Sequence, residues 1–331
     1  MILAGIDEAG YGPLLGPLVV GCAAFEVPEP QPTGDAAADW PDLWRALARA
    51  VSARRVAGKL HVNDSKQVYS PAGGLKSLET AVLAIAGCHA GRCAASWVEL
   101  LRELAPASVD DLPAHPWYAI DDAATTGESP FPLACDPAAI GIARNALSVE
   151  LRRAGVGVVH LSARVLLEGR LNAMLRQTRN KAATLFSAAA GHLDELLRRF
   201  ADRRLVVVCD RHGGREHYGS LLRLMFDDWH LQIDVESEGR SDYRLLHGGQ
   251  EVRVVFCAQA ERQCLPTAVA SMLAKYLREL LMSRFNAFWC ARQPGLTPTA
   301  GYYTDGLRFL DDIEGIRSAL GVAREALVRL R

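Results

Sequence analysis

The sequence has no long hydrophobic run and no cysteine spacing typical of a disulfide framework or a zinc site. No stretch of roughly 18 residues is apolar throughout, so a transmembrane helix and a membrane partner are not expected. The first residues reach Asp7 and Glu8 without a basic start or a long apolar stretch, so no signal peptide is expected. The eight cysteines are scattered over 331 residues, a pattern typical of reduced thiols. We therefore expect a cytoplasmic protein.

An excess of charge of one sign is also missing. There are 37 Lys and Arg against 38 Asp and Glu, and the formal net charge is −1. The totals do not predict a strongly basic nucleic-acid-binding surface, although they are compatible with a local basic patch. Half of the residues are hydrophobic, which favours a packed core over a disordered chain. At about 150 residues per domain, the length fits two domains or one large domain with insertions.

Apolar strands alternate with helical segments, which indicates an α/β or mixed architecture. The hydrophobic patterns predict strands at 2–6, 18–27, 156–162, 204–210, 231–238, 243–247 and 251–258. They predict helices at 40–57, 75–86, 138–154, 168–200, 215–228, 266–290 and 311–330. Residues 106–137 are rich in Pro, Asp, Ser and Thr and predict a long irregular insertion.

Carboxylates follow three of the predicted strands. Asp7 and Glu8 come after the first, Asp210 ends the strand at 204–210, and Glu261 lies just beyond the last. For any one acid alone, a helix cap or a turn is the commoner explanation. Several acids at one end of a sheet would bind divalent cations through oxygen. Two such ions about 4 Å apart activate water in phosphodiester hydrolysis.

A Gly/Pro-rich turn at 10–17 separates the first two strands. Its glycines do not have the G-x-G-x-x-G spacing of a dinucleotide-binding turn, and the next element is a strand. Glycines at these positions allow backbone N–H groups to approach a ligand closely, for example a sugar-phosphate chain.

The motifs, taken in order, resemble the type 2 ribonucleases H, the HII and HIII enzymes. Residues 7–20 (DEAGYGPLLGPLVV) resemble the opening signature of that family, and residues 63–66 (NDSK) resemble the second. Residues 205–210 (LVVVCD) are similar to the strand that carries the third acid, and 260–261 (AE) to the fourth.

Two further segments resemble one branch each. Residues 300–304 (AGYYT) are similar to a Gly-Tyr segment of the HII branch, and residues 176–186 (RQTRNKAATLF) to the HIII branch. Residues 28–58 and 88–150 have no counterpart in the family. The resemblance thus covers most of the chain in order, with a family-atypical insertion at 88–150.

The resemblance implies an α/β, ribonuclease H-like fold with a mixed central sheet flanked by helices. It implies one catalytic domain over 1–331, with a helical C-terminal part at 266–331. The implied activity is hydrolysis of the RNA strand of an RNA–DNA hybrid, or cleavage at a ribonucleotide embedded in duplex DNA, leaving 3′-hydroxyl and 5′-phosphate ends. The implied ligands of Mg²⁺ or Mn²⁺ are Asp7, Glu8, Asp210 and Glu261.

The same resemblance implies a nucleic-acid-binding set. Backbone amides at 10–12 would contact the ribose 2′-hydroxyl, and Ser65 and Lys66 would hold a phosphate. An aromatic side chain would pack at the junction, and two cations on the HIII-like segment are candidate phosphate contacts, with simple solvation equally compatible. The set comprises Gly10, Tyr11, Gly12, Asn63, Ser65, Lys66, Arg179, Lys181 and Tyr302.

Three residues depart from the family pattern. Tyr11 stands where Arg or Lys is usual, Glu261 where the HII branch has Asp, and Gln259 where Lys is common. Two alternatives therefore stay open: a hybrid-binding relative with impaired catalysis, and a nuclease for DNA junctions on the same fold. The sequence does not identify a protein partner. The histidines at 89, 192, 212 and 217 are expected at the surface or in the core.

Overall fold

The computed structural model describes residues 1–29, 40–70, 72–119 and 131–330. Seven strands form one sheet: β1 (Ile2–Ala9), β2 (Leu18–Glu26), β5 (Gly157–Leu166), β6 (Leu205–Asp210), β7 (His230–Ser237), β8 (Arg240–His247) and β9 (Gln250–Cys257). Their order across the sheet is β5-β2-β1-β6-β9-β8-β7. A separate two-stranded parallel pair consists of β3 (Val51–Ser52) and β4 (Leu60–His61).

The large sheet is mixed. β1 pairs in parallel with β6, and β6 pairs in parallel with β9, whereas the other neighbours are antiparallel. The carboxyl ends of β1, β6 and β9 therefore emerge at the same edge of the sheet. All seven strands of the sheet correspond to predicted strands, and the predicted α/β class with a mixed central sheet is confirmed.

Helices cover both faces of this sheet. They are α1 (Leu43–Ala46), α2 (Ser65–Val68), α3 (Lys76–Ala90), α4 (Trp97–Leu104), α5 (Pro106–Val109), α6 (Pro137–Ala154), α7 (Glu168–Thr178), α8 (Lys181–Phe200), α9 (Gly219–Met225), α10 (Leu265–Arg292) and α11 (Tyr303–Ala319). None of the helices in these described ranges is long and apolar enough to cross a bilayer.

Side chains of β1 alternate between two cores. Leu3 belongs to the core that contains α3 and α10, whereas Ile2, Ala4 and Ile6 belong to the core that contains α8. This alternation is what the two-residue period of a strand dictates. Gly5 has no side chain because a Cβ there would lie 2.1 Å from the backbone nitrogen of Thr267. The first turn of α10 thus packs directly on β1, close to the strand ends that carry the acids.

Two predicted helices, at 40–57 and at 168–200, have the wrong bounds. The helix predicted at 40–57 is only the four-residue α1, because the chain then turns and Val51 pairs with Leu60 in β3–β4. The helix predicted at 168–200 is broken between α7 and α8. Arg179 there has a positive φ of 49°, and the Asn180 side chain caps α8 by accepting from the Ala183 amide at 3.0 Å.

Two later helices also differ from prediction. The helix predicted at 311–330 is α11, which begins at Tyr303 and ends at Ala319, and a 3₁₀ turn follows at Arg324–Ala326. The helix predicted at 215–228 is the shorter α9. Burial of Gly306 and Phe309 explains the early start of α11, because that first part packs against the body of the protein.

The predicted insertion is partly helical. Within 88–150 the structure contains α4, α5, two 3₁₀ turns and most of α6, and residues 120–130 of the insertion lie outside the described ranges. Trp117 packs edge-on against Phe285 of α10 and lies 6.1 Å, centre to centre, from Trp289. The described part of the insertion therefore packs onto the same long helix as β1 and β2.

Candidate active site

The four predicted catalytic carboxylates lie at one edge of the sheet. Asp7 and Glu8 are near the carboxyl end of β1, and Asp210 is the last residue of β6. Glu261 lies on a 3₁₀ turn, Ala260–Arg262, that follows β9. The Ala260 amide donates to Asp210 Oδ1 at 3.1 Å, which fixes this turn against the end of β6. The parallel pairing of β1, β6 and β9 thus brings the carboxylates together.

Burial and mutual repulsion disfavour the charged forms of these acids. The pKa of Glu8 and of Glu261 is raised to about 7, chiefly by burial and also by the negative charge of Asp210. The pKa of Asp7 is also raised, first by burial and then by Glu8 and Asp210, and burial raises that of Asp210. Strongly perturbed acids in one cluster are a signature of functional sites.

Two carboxylate oxygens in this cluster have no hydrogen-bond partner. Within the described part of the chain, Glu8 Oε2 and Glu261 Oε2 are buried and accept no hydrogen bond. Leaving a buried acceptor unsatisfied costs about 1–3 kcal/mol, so these atoms need a partner that the protein itself does not supply. A bound cation is a partner that an unpaired carboxylate oxygen of this kind accepts.

The donor set fits Mg²⁺ or Mn²⁺ by its chemistry, because hard divalent cations prefer carboxylate oxygen. As the side chains stand, the described residues contain no group of three or more His, Cys, Asp or Glu placed to hold a metal ion. The fit therefore rests on the unpaired oxygens and on the shared sheet edge.

The NDSK motif lies beside this cluster. The Asp64 side chain caps α2 by accepting from the Lys66 amide at 3.0 Å, and the positive charge of Lys66 lowers the pKa of Glu8 and of Asp210. Asn63 donates from Nδ2 to the Ala53 carbonyl at 2.9 Å, so its side chain holds a loop. The motif places one cation next to the acids.

Ser65 is buried against the acids. The Ser271 hydroxyl lies 3.1 Å from the Ser65 hydroxyl, and a hydrogen bond from Ser271 lowers the pKa of Asp7. Ser65 therefore belongs to a polar chain that leads to Asp7.

Sequence reasoning missed one acid of this region. Asp64 is buried, and its negative charge raises the pKa of Glu261. Its position between Asn63 and Ser65 in a predicted binding motif was a usable signal. Asp64 was overlooked because it does not follow a predicted strand.

The Gly-rich turn at 10–17 lies against the C-terminal half of the chain. Gly10 and Gly16 have φ of 88° and 82°, a left-handed conformation that glycine adopts without strain. A Cβ at Gly10 would lie 2.6 Å from the Pro17 carbonyl, whereas a Cβ at Gly12 would meet no atom within 4 Å. The amides of Leu14 and Leu15 donate to the Gly301 carbonyl at 2.7 and 3.1 Å. The protein itself therefore requires Gly10, but nothing in the described chain requires Gly12.

Two predicted nucleic-acid-binding residues contact each other. The Lys181 ammonium lies over the Tyr11 ring, 4.8 Å from its centre. Burial and the negative charge of Glu8 raise the pKa of Tyr11, so this pair borders the acid cluster. Arg179 is exposed in the turn between α7 and α8, and Tyr302 is 55% exposed just before α11.

The four histidines have structural contacts. Both ring nitrogens of His192 are used, by Ser162 Oγ at 3.1 Å and by the Val20 carbonyl at 3.0 Å. His212 is buried among aromatic rings, and burial lowers its pKa to about 4. His89 and His217 are exposed and contact the Val158 carbonyl and Glu236.

Comparisons with known proteins found solved structures with low similarity to this chain. No protein-family model matches the sequence, and no curated protein matches it. An Archaeoglobus fulgidus RNase HII, solved with PCNA, is 15% identical with a TM-score of 0.42, covering 100% of this chain and 95% of that one. A ribonuclease H2 from Pyrococcus horikoshii is 13% identical, TM-score 0.41, covering 99% and 92%. A Bst-RNase HIII in complex with Mn²⁺ is 15% identical, TM-score 0.46, covering 100% and 66%.

Proposed function

We propose that the protein is a metal-dependent endoribonuclease. It hydrolyses the RNA strand of RNA–DNA hybrids, or cleaves at ribonucleotides embedded in duplex DNA, and leaves 3′-hydroxyl and 5′-phosphate ends. The observation that carries the proposal is the cluster of four carboxylates with raised pKa at one sheet edge, beside a turn that contains a sterically unconstrained Gly12.

Asp7, Glu8, Asp210 and Glu261 would hold Mg²⁺ or Mn²⁺. The bound metal supplies water activation and stabilisation of the leaving oxygen. The protein contributes repulsion among its acids, which a cation relieves, because a nearby positive charge favours the ionised forms. Unpaired oxygens on Glu8 and Glu261 give these two side chains the strongest need for a cation.

The turn and the cations around it would bind the nucleic acid. Gly12 leaves open space where a ribose can approach the backbone, and a 2′-hydroxyl there distinguishes RNA from DNA. Phosphate contacts position the duplex without reading its sequence. We assign those contacts to Lys66, Arg179 and Lys181, and sugar or base packing to the exposed ring of Tyr302. Ser65 would assist Lys66 in holding a phosphate, and Asn63 would hold the loop beside it.

We further propose that 1–331 acts as one catalytic domain, with 266–331 as its helical C-terminal part. The contact of Trp117 with Phe285 supports this proposal, because it joins the 88–150 insertion to α10. Because Trp117 is buried, we assign this part of the insertion a supporting role for the helix that packs on β1.

Cleavage assays with carboxylate variants test the function. Wild-type protein in Mg²⁺ or Mn²⁺ should cleave a hybrid or a duplex with one ribonucleotide. Glu8→Gln and Asp210→Asn should lower the rate by roughly 100-fold or more while the proteins stay folded. Glu251→Gln is the matched control, because Glu251 lies exposed on β9 and should tolerate the change.

Three outcomes would contradict the proposal. Equal cleavage of all-DNA duplexes or junctions would indicate a DNA nuclease on this fold. Salt-sensitive hybrid binding without turnover, unchanged by chelation, would indicate a non-catalytic binding protein. Undiminished activity of both acid variants would place the chemistry elsewhere in the protein.

A further inference from the structure

A buried arginine near the C-terminal end of the described chain contacts the Gly-rich turn. Arg329 is 2% exposed, and its Nη1 donates to the Gly10 carbonyl at 2.6 Å. Longer contacts run from Nη1 to the Gly16 carbonyl at 3.5 Å and from Nη2 to the Tyr11 carbonyl at 3.4 Å. The Arg329 amide donates to the Leu14 carbonyl at 3.0 Å. One guanidinium thus faces the carbonyl oxygens of the turn from within the protein.

Fixing these carbonyls also fixes the amides that follow them. A trans peptide unit is planar, and its C=O and N–H bonds point in opposite directions. With the Gly10 and Tyr11 carbonyls directed at Arg329, the amides of Tyr11 and Gly12 are directed away from it. Within the described ranges, the hydrogen bonds of the turn involve neither of these amides as a donor. Two backbone donors therefore point away from the buried guanidinium, and Gly12 itself is exposed.

The position of Arg329 is itself secured. The buried Asn172 side chain donates to the carbonyls of Glu325 at 3.1 Å and Val328 at 2.8 Å, and accepts from the Leu330 amide at 2.7 Å. These three bonds fix the backbone on both sides of Arg329 to α7.

Among the described residues, one buried acid, Glu168, favours the charged form of Arg329. Glu168 is fully buried, and the positive charge of Arg329 opposes the rise that burial causes in its pKa. Burial lowers the pKa of Arg329, and the charge of Arg278, a second buried arginine, acts in the same direction. Burying a guanidinium beside another cation costs folding free energy. We infer that Arg329 contributes to function in a way that offsets this cost.

We propose that Arg329 is a positioning residue for ribose recognition, which holds the Tyr11 and Gly12 amides toward the substrate and so sets the preference for a 2′-hydroxyl. The proposal rests on the proposed function, since it names what makes the turn selective. Arg329 itself does not touch the substrate. Its effect should appear in selectivity more than in overall duplex affinity.

The test compares two dissociation constants in chelator, for a DNA duplex with one ribonucleotide and for the same all-DNA duplex. The wild type should bind the first more tightly. In Arg329→Met the ratio of the all-DNA dissociation constant to the ribonucleotide-duplex dissociation constant should fall by roughly tenfold, toward 1. The reason is that one or two net hydrogen bonds are lost. Arg324→Met is the control, because Arg324 is exposed in the same segment, and its ratio should equal that of the wild type.

The outcomes distinguish a failure of the role of Arg329 from a failure of the proposed nuclease function. An unchanged ratio in folded Arg329→Met overturns the role of Arg329 and leaves the nuclease function standing. If that variant does not fold, Arg329→Lys keeps the charge but lacks the planar fork, and its ratio should be intermediate, whereas a wild-type ratio overturns the role. The proposed function itself is overturned if the wild type shows no tighter binding of the ribonucleotide duplex in chelator and no cleavage of it in Mn²⁺.

Discussion

The ammonium of Lys181 lies 4.8 Å from the centre of the Tyr11 ring, so the first residue of α8 places a cation over the Gly-rich turn. Tyr11 stands where the family resemblance predicts Arg or Lys. The contact offers an explanation, because Lys181 brings to the Tyr11 ring the positive charge that the turn itself lacks. Such a contact contributes about 0.5–2 kcal/mol, depending on solvent exposure.

A swap of these two residues tests that explanation. Lys181→Met should weaken duplex binding and lower the slope of log K against log salt by about 0.9, the value for one phosphate contact. Adding Tyr11→Arg to Lys181→Met should restore both, because the cation returns to the turn. Salt-dependent fluorescence anisotropy measures the slope. Arg198→Met, on the same helix at an exposed position, should leave it unchanged, and failure of Tyr11→Arg to rescue would refute the swap.

Gly10 and Gly12 should respond differently to alanine. Gly10→Ala combines a φ of 88° with a Cβ that is 2.6 Å from the Pro17 carbonyl, so we expect a loss of about 2–4 kcal/mol in unfolding free energy. Gly12→Ala should change stability by less than about 0.5 kcal/mol. Its cleavage at ribonucleotides should nevertheless fall at least about tenfold, because the methyl group fills the space proposed for the ribose. Urea unfolding and cleavage rates measure the two effects, and full activity of Gly12→Ala would contradict the assignment of the turn.

The acid cluster should destabilise the metal-free protein as pH rises. The pKa of Glu8 is about 7 in the folded protein and about 4.5 when unfolded, so the folded state binds the proton more tightly. The resulting penalty is absent below pH 4.5, grows between pH 4.5 and 7, and is complete above pH 7. Glu8→Gln should therefore stabilise the chelator-treated protein at pH 8, by on the order of 1–3 kcal/mol, and much less at pH 4.5.

Urea unfolding in chelator at both pH values measures this difference. Glu251→Gln, at an exposed position on β9, is the control and should show no comparable dependence. An equal effect of Glu8→Gln at both pH values would mean that Glu8 is not held with a raised pKa.

Arg179 should show opposite effects on stability and on binding. Its φ of 49° is unfavourable for a residue with a side chain, so Arg179→Gly should raise the unfolding free energy by about 1 kcal/mol. The same change should weaken duplex binding if its guanidinium contacts phosphate. Arg176→Gly lies inside α7 and should instead destabilise by about 1 kcal/mol. Thermal unfolding and anisotropy measure both, and unchanged binding would remove Arg179 from the nucleic-acid surface.

The strand pattern and the positions of the acids could be read from the sequence, because both depend on local periodicity. Asp210 and Glu261 each follow an apolar run, and parallel pairing then brings them to one edge. The helix predicted at 40–57 failed because an apolar spacing of four also fits a chain that turns after Ala46. Arg329 was missed for another reason: its contact with Gly10 spans 319 residues, and no local pattern records such a contact.

The most direct measurement uses one duplex with a single ribonucleotide and an otherwise identical all-DNA duplex, each end-labelled and incubated with the wild-type protein in Mn²⁺. We predict one cut, beside the ribonucleotide, with 3′-hydroxyl and 5′-phosphate ends, and no cut in the all-DNA duplex. Cleavage of both duplexes at equal rates, or of neither by folded protein, would contradict a metal-dependent ribonuclease that selects the ribose 2′-hydroxyl.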